Sequence, residues 1–254
     1  MIRVFTALLL APAVVAIILW GPSWLLLALV AAVALLCFHE YAGIVAAQGL
    51  RPPGPASYAA GLALLVVRGE ELLLLALFAF AALALAARGG ELPKVLPQAA
   101  AALLGVVYVF GGLRFALELH AESPYWLLFA LGLNWAGDTA AYYTGRGLGR
   151  HKLAPQLSPS KSWEGAVAAL AAAVLFGVLF LARLLPEVTW LERLSLSVAG
   201  NLAGQLGDLC ESALKRGANL KDSGRLLPGH GGWLDRLDST LFALPVVYSL
   251  FRLL

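Results

Sequence analysis

The stretch "PASYAAGLALLVV", Pro55 to Val67, decides how the chain is folded. A helix that crosses a bilayer needs about 20 apolar residues, within about 17 to 25. This segment is shorter, yet the topology of everything after it turns on whether it crosses. It is the third of nine apolar segments, at roughly 4–20, 23–38, 55–67, 72–87, 97–113, 124–144, 164–185, 191–210 and 239–252. Gly or Pro marks several boundaries, among them Gly21-Pro22, Pro52-Pro53-Gly54-Pro55, Gly89-Gly90 with Pro93, and Pro186. With nine crossings and a cytoplasmic N-terminus, 13 of the 18 Lys and Arg residues fall inside. Arg68, Arg114, Arg183, Arg193 and Arg252 fall outside. Positive charge inside is the rule for membrane proteins. Without the third crossing, every later loop changes side and most of the positive charge moves out. The expected fold is therefore all-α: a polytopic transmembrane helical bundle of about nine spans with a cytoplasmic N-terminus.

Composition supports the class. Of 254 residues, 61% are hydrophobic and 13% charged, about half the usual charged share. Mean hydropathy is +0.82. A soluble chain of this length could not bury so much Ala, Leu and Val. The net charge of +3 is too small to suggest nucleic acid as a partner. Cys37 and Cys210 form no CxxC pair and lie near inner span ends, where disulfides are rare. The opening apolar segment runs directly into the next without a small-residue cleavage site, so it is expected to be retained. No internal repeat or separate soluble domain is evident. The chain divides into an N-terminal set of about five spans, residues 1–122, and a C-terminal region, residues 123–254. The latter carries two polar inner loops, 145–163 and 211–238. Two crossings separate these loops, so both return to one face and can meet there.

Three polar constellations lie in the C-terminal region. In "NWAGDTAAYYTGRGLGRHKLAPQLSPSKSWEG", Asn134 to Gly165, residues Asn134, Asp138, Tyr142 and Gly145 share one helical face. An acid at a span end is costly unless it faces a polar cavity. Ser158-Pro159 reads as an N-cap followed by Pro at the first helical position. The next helix would start there, aiming its N-terminus and Lys161 at a phosphate. The competing reading is a basic loop lying on lipid headgroups.

The second constellation is "NLAGQLGDLCESALKR", Asn201 to Arg216, where Asn201, Gln205, Asp208, Ser212 and Lys215 form a helical stripe beside Glu211. Carboxylates there suit a hard divalent cation and the lysine suits phosphate. Mutual pairing of helix-end charges is the alternative. The third is "KRGANLKDSGRLLPGHGGWLDRLDS", Lys215 to Ser239. Asp235 and Asp238 lie on one side of a helix start, where they can hold a cation or stabilise the N-terminus. Gly229, Gly231 and Gly232 flank His230 and allow close backbone approach. Lys215, Arg216, Lys221, Arg225 and Arg236 supply donors for phosphate oxygens. His230 alone would be an ordinary loop histidine. Metal-binding acids beside phosphate-binding bases describe a nucleotide or phosphoryl-transfer site. There is no GxxxxGK[ST] loop.

The segment from Ser212 to Asp238 resembles the signature of the phosphatidate cytidylyltransferase, or CDP-diacylglycerol synthase, family. Lys215-Arg216, Lys221-Asp222, Pro228, His230-Gly231-Gly232 and Asp235-Arg236-Leu237-Asp238 match it with spacing intact. Trp233 departs from the family's usual aliphatic residue, and altered packing is expected there. "SPSKSWEG", "GQLGDLCES" and the opening "RVFTA" also look like family segments. The resemblance implies a transferase that joins CTP and phosphatidic acid into CDP-diacylglycerol and pyrophosphate. It makes 123–254 the catalytic region, at the cytoplasmic face of the cell membrane. It implies Mg²⁺ on Asp208 and Asp235, with Asp238 or Glu211 as further ligands, and a second, monovalent cation such as K⁺. Lys215, Lys221, Arg236, Asp235 and Asp238 would carry catalysis. Ser158, Lys161, Asp138, Arg216, Asp222, His230, Gly231 and Gly232 would bind substrate. A homodimer stays open. The alternatives are a CTP-dependent lipid kinase, which would release CDP, and a transporter, which would need polar residues through to the outer side. The asparto motif of CDP-alcohol phosphotransferases, beginning Asp-Gly, is not found.

Overall fold

Each of the nine apolar segments is helical over nearly all of its length. The computed structural model describes residues 2–88, 91–226 and 231–254, with side chains from residue 11 onward. The helices are α1 (Ile2–Trp20), α2 (Ser23–Ala47), α3 (Pro55–Val66), α4 (Glu71–Ala87), α5 (Val95–Gly105), α6 (Gly112–Glu122), α7 (Pro124–Leu148), α8 (Trp163–Leu184), α9 (Trp190–Gly217) and α10 (Leu234–Leu253). A 3₁₀ turn, Leu92–Lys94, leads into α5, and a π-helical turn, Val106–Gly111, joins α5 to α6. Leu92–Glu122 is thus one continuous helical rod.

Among the described residues, three helical stretches are long and apolar enough to cross a membrane: Ser23–Ala47, Leu92–Glu122 and Trp163–Leu184. Pro55–Val66 and Glu71–Ala87 are apolar but shorter, as is Ala11–Trp20, the part of α1 whose side chains are described. With its 12 residues, α3 reaches only about 18 Å, against a hydrocarbon thickness of about 30 Å. Its C-terminal end is tied to the rest of the protein by a buried arginine. There the guanidinium of Arg114, 7% exposed, donates to the carbonyls of Leu64 (2.5 Å) and Val67 (2.6 Å) and pairs with Glu71 and Glu118.

The fold is nearly but not wholly α. β1 (Lys152–Ala154) and β2 (Ser158–Ser162) form an antiparallel hairpin in the first polar loop. This corrects the expected helix start at Ser158. Pro159 sits in an extended strand, and α8 begins at Trp163. The N-cap is Ser162, whose Oγ accepts from the Gly165 N–H at 3.2 Å.

Contacts give the bundle two distinct ends. At one, His120 of α6 meets the Ile18 carbonyl of α1 (3.0 Å), and Arg252 of α10 pairs with Glu122 (3.1 Å). At the other, Gln48 after α2 donates to the Leu214 carbonyl of α9 (3.3 Å). Arg216 there donates to the Leu157 carbonyl of the hairpin (3.2 Å). The two polar loops therefore do meet, at one end. Small residues let the helices close there: a Cβ on Gly207 of α9 would stand 2.5 Å from the Asp238 carbonyl of α10.

Candidate active site

A cavity of about 520 Å³ opens between α7, α8, α9 and the hairpin. The helical face read from α7 lines it: Asn134, Asp138, Tyr142 and Gly145 are all on its wall. From α9 come Asn201, Gln205 and Asp208, from the hairpin Ser160, Lys161 and Ser162, and from α10 Ser239. Gln205 is held by donating to Asn201 Oδ1 (2.7 Å) and the Ala166 carbonyl (3.2 Å). Lys161 Nζ pairs with Asp208 Oδ2 at 2.5 Å, and both remain partly exposed. Lys161 and Arg236 both act electrostatically on Asp138.

Beside the cavity lies a buried ionic cluster. Lys215 Nζ sits between Glu211 and Asp235, pairing with Asp235 Oδ1 at 2.5 Å and with Glu211 Oε2. Glu211 is 0% exposed. Its Oε1 has no hydrogen-bond partner among the described residues. Asp238, also buried, accepts from the Ser239 N–H at 2.7 Å. It lies within electrostatic range of Asp208, Glu211 and Asp138.

Asp235 is satisfied by the protein. It lies in the polar first turn of α10, ahead of the apolar stretch 239–252. Besides Lys215, its carboxylate accepts from the N–H groups of Gly232 (2.8 Å) and Ser223 (3.0 Å). Burial works against its charge, but Lys215 and these N–H groups outweigh burial and hold the carboxyl below the usual carboxylate range. Gly231 has φ +78°, a conformation that favours glycine.

Other expected site residues are placed differently. Ser158 stands at the start of β2, its Oγ 3.5 Å from that of Ser160, and does not line the cavity. Arg216 is bound to the backbone carbonyls of Leu157 and Leu220. Lys221 and Asp222 are exposed on the loop after α9. His230, with Pro228, lies outside the described residues. Trp233 packs against the apolar core.

The sequence reading missed Glu40. This carboxylate, on α2, accepts from the N–H groups of Trp233 (3.0 Å) and Leu234 (2.9 Å) and from Ser223 Oγ (2.8 Å). The available signal was a lone acid in an apolar helix, which in a membrane protein marks a functional or paired group.

The donor set suits a hard divalent cation. All the acids offer oxygen, and a buried carboxylate oxygen without a partner, Glu211 Oε1, is a natural cation ligand. Among the described residues no three His, Cys, Asp or Glu side chains form a ready-made metal cage. Mg²⁺ does not need one, because it commonly takes one or two carboxylates and completes its shell with water and substrate phosphates.

The chain is similar to known proteins. The whole chain, residues 1–254, matches the cytidylyltransferase family. A phosphatidate cytidylyltransferase of Staphylococcus saprophyticus is 40% identical over 150 residues, covering 59% of this chain and 58% of that protein. One from Staphylococcus aureus is 41% identical over the same length and shares. One from Haemophilus influenzae is 42% identical over 148 residues, covering 55% of this chain and 51% of that protein. These matches span little more than half the length of the relatives.

Proposed function

Because the chain belongs to the cytidylyltransferase family, we propose that it is a phosphatidate cytidylyltransferase, making CDP-diacylglycerol and pyrophosphate from CTP and phosphatidic acid. The observation that carries this reading is the cavity wall, where Lys161 is paired with Asp208 beside Asp138. A phosphate-binding cation and metal-binding acids share one space, at the end of the bundle where both polar loops meet. We place that end at the cytoplasmic face of the cell membrane, and each apolar segment in the bilayer. The excess of inner Lys and Arg supports this orientation.

In the reaction, a phosphate oxygen of phosphatidic acid forms a bond to the α-phosphorus of CTP. The bond from that phosphorus to the bridging β-oxygen breaks, and pyrophosphate leaves with the electron pair. A phosphate monoester is already anionic at neutral pH, so no strong base is required. The task of the protein is to hold two polyanions together. Mg²⁺, when bound, would be held by Asp208 with Asp238 or Glu211 and by substrate phosphates, and would neutralise phosphate charge. Asp235 already accepts from three protein donors, so it serves better as the anchor of Lys215 than as a ligand. Lys161 leaves Asp208 to take a phosphate oxygen, which frees a carboxylate for the cation. Asp138 completes the polar wall, with Arg236 near enough to act on its charge, and Arg216 ties the hairpin to α9. Lys221 and Asp222, exposed on the loop after α9, are assigned to the site on the family resemblance alone. Preorganised charges of this kind are worth most where water is excluded. A monovalent cation rests on the family resemblance alone, and no residue is assigned to it.

The test is product identification with purified protein, CTP, phosphatidic acid and Mg²⁺. CDP-lipid together with pyrophosphate is expected. Release of CDP with a phosphorylated lipid would replace this reading by a kinase.

A further inference from the structure

We propose that Glu40, on α2, is a positioning residue that sets the geometry of the Gly231–Arg236 turn from the other half of the chain. The inference rests on the reading of that turn as part of the transferase site. It starts from a deficiency in α10. The first N–H groups of any helix lack intrahelical acceptors. α10 begins without a side-chain cap of its own. Glu40 supplies the missing acceptor from nearly two hundred residues away in sequence. Its Oε1 takes the Trp233 N–H and its Oε2 the Leu234 N–H. A carboxylate at this position also complements the positive end of the helix dipole. At 4% exposure it is sealed from water.

The contact continues into the ionic cluster. Ser223 Oγ donates to Glu40 (2.8 Å) and accepts from the Asp235 N–H (3.3 Å). The Ser223 N–H donates to the Asp235 carboxylate, which holds Lys215. Glu40, Ser223, Asp235 and Lys215 are thus one connected chain of hydrogen bonds. The surrounding space is fitted to Glu40, since a Cβ on either Gly224 or Gly232 would overlap its carboxylate. Glu40 itself does not line the cavity. It therefore acts on catalysis through Asp235 and Lys215 and does not touch substrate.

The test is Glu40→Gln. Glutamine keeps the shape but turns one oxygen into an NH₂ group, which confronts a backbone N–H in either amide orientation. With activity expressed per folded molecule, kcat should fall by roughly ten- to a hundredfold. KM for CTP should stay within about twofold, because the cavity wall is untouched. Glu40→Asp, which keeps both oxygens, should recover part of kcat. Amide hydrogen exchange at Trp233 and Leu234 should accelerate in E40Q. Wild-type kcat per folded molecule would overturn the proposal, as would a loss carried by KM alone. If E40Q does not fold, Ser223→Ala is judged by the same kcat and KM criteria, since it removes the hydroxyl that joins Glu40 to the Asp235 N–H and spares both backbone bonds to Glu40. If the wild type makes no CDP-lipid, the transferase reading fails. Hydrogen exchange then decides on Glu40 by itself, with unchanged rates overturning it.

Discussion

Replacing Lys215 with methionine leaves Glu211 stranded. Glu211 is 0% exposed, and among the described residues it forms an ion pair with Lys215. Asp235 loses the same lysine but keeps the N–H groups of Gly232 and Ser223, so Glu211 bears most of the cost. Its cheapest escape is to take up a proton. Burial already pushes the Glu211 carboxyl up to about 7, against the pull of Lys215. Without the lysine it rises further. The folded variant then keeps a proton that the folded wild type gives up, so the penalty relative to wild type grows by about 1.4 kcal/mol per pH unit above about pH 7. At pH 9 it is about 3 kcal/mol, close to the roughly 3–5 kcal/mol of broken buried pairs. At pH 6 little of it remains. Reversible unfolding in detergent at both pH values measures this. Adding Glu211→Gln to Lys215→Met should restore most of the loss at pH 9. Equal destabilisation at the two pH values, or no recovery in the double variant, would refute the reasoning.

Three further outcomes follow from the geometry. Lys161→Met should change stability by less than about 1 kcal/mol, because its pair with Asp208 is partly exposed. The same change should lower kcat/KM by about a hundredfold or more in a steady-state assay. Ser162→Ala should cost about 1 kcal/mol as the loss of a helix cap, whereas Ser158→Ala should stay within about 0.5 kcal/mol, both read by thermal unfolding. Gly207→Ala should destabilise by about 1–3 kcal/mol, because its new methyl meets the Asp238 carbonyl.

Local periodicity was legible in the sequence, and long-range pairing was not. Asn134, Asp138, Tyr142 and Gly145 share a face because helical spacing places them there, and all four line the cavity. The α9 stripe likewise divides between the cavity, through Asn201, Gln205 and Asp208, and the ionic cluster, through Lys215. Ser158-Pro159 misled because Pro is as compatible with an extended edge strand as with a helix start. The choice was made by the pairing of residues 152–154 with 158–162, which propensity does not encode. Glu40 was invisible as a partner because its acceptor role depends on α2 lying against the start of α10. The third apolar segment was long enough to be counted yet forms a helix of only 12 residues, whose last carbonyls are bound by Arg114.

The most direct measurement follows the label of CTP. Purified protein is given phosphatidic acid, Mg²⁺ and CTP carrying ³²P at either the α or the γ position. Transfer of the α label into lipid, with the γ label recovered as pyrophosphate, is the predicted result. Transfer of the γ label into lipid, or of neither label, would contradict it.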